Sequence, residues 1–128
     1  MKILAITWAG VHVDDVSTLL PFFRDVMGLT VRVDRPAFVV LDTPSGDAVE
    51  LFGKGGPQPS EQFARNAVVV GFLVDDIERA RDELARAGIE LLGPIQGDPN
   101  GYRWQHFRAP DGRTYELCFD PVRVARGG

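Results

Sequence analysis

Cysteine is almost absent from this chain of 128 residues: Cys118 stands alone. One thiol cannot build an internal disulfide framework, and it fits a reducing compartment. Excess positive charge is absent too. Lys+Arg number 14 against 18 Asp+Glu, a formal net charge of −4, and no basic cluster interrupts the sequence. Phosphate attraction dominates nucleic-acid affinity, so neither nucleic acid nor an anionic membrane is an expected partner. Long apolar runs are missing as well. The opening stretch, Met1 to Val13, is apolar but short, is interrupted by His12, and is followed by Asp14. It cannot span a bilayer and lacks a signal-peptide cleavage pattern. Elimination leaves a cytoplasmic protein. What is present is core material: hydrophobic residues make up 45% of the chain. On the size prior this is a single domain that buries roughly two thirds of its unfolded surface.

The sequence also repeats itself. Val13-Asp14-Asp15 returns as Val74-Asp75-Asp76, Met27-Gly28-Leu29 as Ala87-Gly88-Ile89, and Pro44-Ser45-Gly46-Asp47-Ala48-Val49-Glu50-Leu51 as Pro110-Asp111-Gly112-Arg113-Thr114-Tyr115-Glu116-Leu117. The offsets are 61, 60 and 66 residues, in the same order. Two copies are too few for a solenoid, so a paired, pseudo-symmetric arrangement is expected.

Each copy opens on a β-branched run, Ile3 to Trp8 and Ala67 to Val74. An aspartate pair follows, suited to cap a helix. In the second copy Ile77, Ala80, Leu84 and Ala87 recur at helical spacing, and Gly88 supplies a left-handed stop. In the first, Val16, Leu19, Leu20, Phe23 and Met27 make a less regular stripe that Pro21 interrupts; a helix that starts late, with Pro21 in its first turn, is one solution. Three strands then follow in each copy: 30–33, 37–41 and 48–52, then 90–92, 102–107 and 114–119. The unit is β-α-β-β-β. Module one covers 1–53, a Gly/Pro-rich linker 54–66, module two 67–121, and a C-terminal tail 122–128. The loop Gly97-Asp98-Pro99-Asn100-Gly101 precedes an aromatic strand, a common setting for binding loops.

Paired β-α-β-β-β modules, an Asp before each helix, a Gly after it, and the phrase Arg108-Ala109-Pro110-Asp111-Gly112-Arg113-Thr114-Tyr115-Glu116-Leu117 resemble the vicinal oxygen chelate superfamily. That superfamily includes the glyoxalase I, bleomycin-resistance and extradiol-dioxygenase families. The resemblance runs from about Ile3 to Phe119; Ala109 departs from the Asp common before that Pro. It implies an α+β fold in which two modules form an open, barrel-like cleft with the helices outside. One fold of this kind hosts many chemistries.

The resemblance also implies where a metal would be held: one side chain from the first strand and one from the last strand of each module. The last-strand positions match as Glu50 and Glu116. The first-strand positions, seven residues before each capping Asp, are Trp8 and Val69, which cannot bind a divalent ion. Two carboxylates are an incomplete set for a transition metal. His12 shares a strand face with Trp8 but lies about 13 Å further along at strand rise. It is either a displaced ligand or a histidine at the pocket rim. His106 faces either the cleft or the helix layer. Each Glu is a structural partner of an arginine such as Arg103 or Arg108, an acid or base, or a retained metal ligand. Trp8, Phe38, Tyr102 and Trp104 are stacking surfaces for a planar ligand or ordinary packing. Cys118 reads as a packed thiol.

These residues point to a glyoxalase/bleomycin-resistance-like protein that binds an apolar or aromatic small molecule in the inter-module cleft. No cofactor and no catalytic metal are expected. The substrate-binding candidates are Trp8, His12, Phe38, Glu50, Trp104, His106 and Glu116, with no catalytic residue assigned. Two alternatives stand: a metal-dependent lyase, isomerase or dioxygenase using Glu50 and Glu116, and a non-catalytic partner-binding subunit. Open sheet edges and the apolar first strand point to a homodimer.

Overall fold

The repeated Val-Asp-Asp and Gly landmarks shape the backbone in the same way twice. In the computed structural model, which describes residues 1–57, 63 and 66–128, Asp15 accepts from the Ser17 N–H and Asp76 from the Arg79 N–H, each at 2.9 Å. Each carboxylate thus satisfies an orphan donor where a helical segment begins. Gly28 and Gly88 close those segments with the same φ, +77°, in the left-handed region that a side chain rarely adopts. The two Pro-Gly turns match as well. Thr43 N–H donates to Asp47 O at 2.9 Å, and Ala109 N–H to Arg113 O at 2.7 Å.

The chain folds as two compact units, one of Thr7–Val69 and one of Met1–Ile6 with Val70–Gly128. The strands are β1 (Ile3–His12), β2 (Thr30–Arg35), β3 (Phe38–Asp42), β4 (Ala48–Phe52), β5 (Val68–Val74), β6 (Glu90–Gly97), β7 (Arg103–Arg108) and β8 (Thr114–Phe119). The first residues of β1 belong with the second module. In the first module the strand order is β2-β3-β4-β1, with β1 parallel to β4 and the other pairs antiparallel. In the second it is β6-β7-β8-β5, with β5 parallel to β8 and the others antiparallel. The β-α-β-β-β module is therefore built twice. Most of the linker expected at 54–66 lies outside the described residues.

The second-module helix, α1, spans Ile77–Arg86. Ile77 and Ala80 are fully buried and pack with Val74 and Leu117, flanked by Phe72, Leu84, Ile95, Phe107 and Phe119. Burying an Ile or Leu side chain contributes about 1.5–3 kcal/mol each, so this stripe fixes α1 on its sheet. The first-module connection is not a regular α-helix. A 3-10 turn, Val16–Thr18, gives way to a π-helical turn, Phe22–Val26. Pro21 sits at the join, where it has no N–H to give; the ladder resumes with Phe23 N–H donating to Leu19 O, and Met27 N–H donates to Phe22 O, each at 3.0 Å. The apolar stripe still packs: Val16, with Leu19, Leu20 and Phe23 partly buried, lies against Val39, Leu41 and Leu51.

Three further departures from the sequence reading have local causes. β1 continues past Trp8 to His12. β6 runs on to Gly97 because an irregularity between Leu92 and Gln96 absorbs Gly93-Pro94. The tail contains a short helix, α2 (Pro121–Ala125), whose N-cap Asp120 accepts from Val122 and Arg123 N–H. No helix among the described residues is long and apolar enough to cross a membrane.

Candidate functional site

Side chains alternate along a strand, so the face opposite each helix layer is fixed once the helix-facing residues are known. In the unit Thr7–Val69 the helix-facing set includes Val39, Leu41 and Leu51. The other face then carries Trp8, Gly10 and His12 from β1, Phe38 and Val40 from β3, and Ala48, Glu50 and Phe52 from β4. The register agrees: Gly10 lies beside Glu50, His12 beside Phe52, Val40 beside Glu50 and Phe38 beside Phe52. Four of the expected site residues, Trp8, His12, Phe38 and Glu50, thus share one face of this unit.

That face is largely aromatic. Trp8 meets Phe52 edge-on at 6.5 Å between ring centroids, and Phe38 and Phe63 each lie within 5.5 Å of Phe52. His12 is exposed, with its ring 5.5 Å from that of Phe63. Trp8 and Val69, which occupy the two first-strand positions expected of metal ligands, pack together with Phe52 in one buried cluster. The Trp8 indole also lies over Gly10: any Cβ at that position would overlap the indole ring. A glycine inside a strand is a sequence sign of such close approach, yet sequence reasoning does not single out Gly10, nor Phe52 and Phe63 as its aromatic neighbours.

In the unit completed by residues 70–128, Phe107 and Leu117 face α1, so Trp104 and His106 of β7 and Glu116 and Cys118 of β8 face the other way. Trp104 pairs in register with Cys118, and His106 with Glu116. His106 Nε2 lies 2.8 Å from Glu116 Oε2, and the side chains are only 4% and 5% exposed. The arginines considered as partners for a cleft glutamate are engaged elsewhere, Arg103 with Glu78 and Arg108 with Glu90. Burial pushes the Glu116 carboxyl above its ordinary value, while the hydrogen bond and charge of His106 pull it down. Desolvation leads, so this carboxyl holds its proton more tightly than an exposed one.

A second polar group supports β7 from behind. Gln105 is fully buried; it accepts from Arg81 Nε at 2.9 Å and donates to Gly93 O and His106 O, each at 2.9 Å. It ties α1, the β6 irregularity and the backbone of His106 together. Its neighbours in the sequence, Trp104 and His106, give no hint of this role.

The superfamily resemblance raises the question of a metal. Among the described residues, no group of three or more His, Cys, Asp and Glu side chains could hold one. The residues do not fit that group: where ligands are expected, an indole and a valine are packed as hydrocarbon. The chemistry the units do present is aromatic contact, plus a buried acid beside an imidazole.

A family model described as the Glyoxalase/Bleomycin resistance protein/Dioxygenase superfamily matches residues 5–117. Among solved structures, a member of that superfamily from Vibrio splendidus 12B01 is 26% identical, with a TM-score of 0.61 over 88% of this chain and 96% of that one. Methylmalonyl-CoA epimerase from Mycobacterium tuberculosis is 15% identical, with a TM-score of 0.71 over 97% of this chain and 93% of that one. A variant of homoprotocatechuate 2,3-dioxygenase from Brevibacterium fuscum is 21% identical, with a TM-score of 0.70 over 93% of this chain but 33% of that one. No curated relative matches. With the twice-built β-α-β-β-β module and a match over nearly its whole length, the chain belongs to the Glyoxalase/Bleomycin resistance protein/Dioxygenase superfamily.

Proposed function

We propose that this superfamily member binds an apolar or aromatic small molecule without a catalytic metal. Binding residues come from the two strand faces described above: Trp8, His12, Phe38 and Glu50 in one module, Trp104, His106 and Glu116 in the other. The observation that carries the reading is the packing of Trp8 and Val69 into one hydrocarbon cluster. It removes the first-strand metal ligands and supplies aromatic surface instead. Flat rings of this kind stack on planar ligands, and a few polar groups fix orientation.

Two measurements test this. A screen of aromatic compounds by tryptophan fluorescence should find ligands that quench or shift the emission. Trp8→Ala or Trp104→Ala should weaken them by about 1–3 kcal/mol through lost stacking and apolar burial. Elemental analysis of the purified protein should find no stoichiometric zinc, nickel, iron or manganese. About one ion per chain, lost on Glu50→Gln or Glu116→Gln, would overturn the metal-free reading and promote the lyase, isomerase or dioxygenase alternative.

A further inference from the structure

Trp104 and His106 alternate onto one face of β7, Tyr102 lies just before that strand with its ring beside Trp104, and exposure falls along the three. Tyr102 is 40% exposed, Trp104 is half-buried and His106 is 4% exposed. The Tyr102 and Trp104 rings lie 6.0 Å apart at 37°. The row ends at the His106–Glu116 contact of 2.8 Å. Among the described residues, the other buried polar side chains are Thr7, Gln105 and Thr114, so this is the only carboxyl and the only imidazole in the core. The next side chain on that face, Arg108, is held by Glu90 at 3.0 Å.

At 2.8 Å the buried carboxyl and imidazole already partner each other. An ion added beside them would bring an uncompensated charge into low-dielectric surroundings, which penalise it heavily. A neutral head group escapes that penalty. The pair can also present a donor and an acceptor side by side, since an imidazole N–H donates and a carboxyl oxygen accepts.

We propose that this face takes a neutral, planar aromatic compound whose polar head carries a donor next to an acceptor, as a primary amide does. Its ring lies on Tyr102 and Trp104, and its head meets His106 and Glu116. The inference rests on the small-molecule-binding reading above and adds the ligand's charge and polarity.

Three probes of nearly equal size decide it: benzamide, benzoate and benzylamine, which are neutral, anionic and cationic at neutral pH. Each is titrated into the full chain by calorimetry. Fluorine NMR of fluorotryptophan-labelled protein locates the binding, with the Trp104 resonance assigned through Trp104→Phe. Benzamide should bind at least about tenfold more tightly than either charged probe, a ratio equivalent to ~1.4 kcal/mol. It should shift the Trp104 resonance. Equal affinity for all three probes overturns the proposal and leaves aromatic binding standing. So does a shift confined to the Trp8 resonance. Failure of all three, together with a wider aromatic panel, removes the binding reading and this inference with it.

Discussion

At the scale of single residues, two side chains have consequences that can be measured without knowing the ligand. Gly10 admits the Trp8 indole over β1, so a methyl group there must displace the ring. Gly10→Ala is expected to cost about 1–3 kcal/mol, as overpacking of a filled core does. Denaturant unfolding should show that loss, accompanied by a change in tryptophan emission; unchanged stability would mean the indole is not held there. Glu116 gives a pH dependence. Its carboxyl is raised above the ordinary value of 4.5 by burial, against the pull of His106. A raised carboxyl binds its proton more tightly in the folded state. The stability this gives is complete below the unfolded value and is lost as pH rises through the folded one. Glu116→Gln carries no such proton. The stability of the natural protein relative to Glu116→Gln should therefore fall as pH rises from about 4.5. Thermal unfolding of both across that range checks the sign, and a difference that grows with pH would contradict it.

At the scale of elements, the capping aspartates and the buried amide carry the argument. Asp76 starts α1 by accepting from Arg79 N–H. Asp76→Ala should cost about 1 kcal/mol in unfolding free energy, the usual effect of losing an N-cap. Gln105→Leu should cost about 1–3 kcal/mol, because Arg81 Nε and Gly93 O lose their shared buried partner. Stability within error of the natural protein would show that the amide is dispensable. The same elements show what the sequence could reveal. Ala48–Phe52 and Thr114–Phe119 are strands at their expected bounds, since a turn with Pro and Gly precedes each and a short, mostly apolar run broken by one Glu follows. The parity of Glu50 and Glu116 against their Leu neighbours was legible for the same reason. His106 was not: its face depends on the β7–β8 register, which pairs it with Glu116. The π-helical turn escaped because hydrophobic spacing reports which side is apolar, whatever the hydrogen-bond ladder beneath it. The C-terminal helix did leave a sign, Asp120 followed by Pro121 at the first helical position.

At the scale of the whole molecule, the open question is how its remaining apolar surface is covered. The edge strands β2 and β6 each carry a register irregularity, between Val31 and Val33 and between Leu92 and Gln96. Such irregularities bend an edge and discourage pairing with another chain. A homodimer, which we expect, would therefore use apolar side chains rather than sheet edges. Candidates are Ile6 on β1, 62% exposed, and Val26 on the π-helical turn, 76% exposed. Isologous contacts repeat each such side chain across the two-fold axis, so one charged substitution acts twice. Light scattering at tens of micromolar should give twice the chain mass of 14.1 kDa. Ile6→Glu or Val26→Glu, whichever surface is used, should return the monomer mass while the thermal transition of the chain persists. A monomer mass for the natural protein at that concentration would sink the homodimer. A dimer that survives both substitutions would place the interface on neither surface.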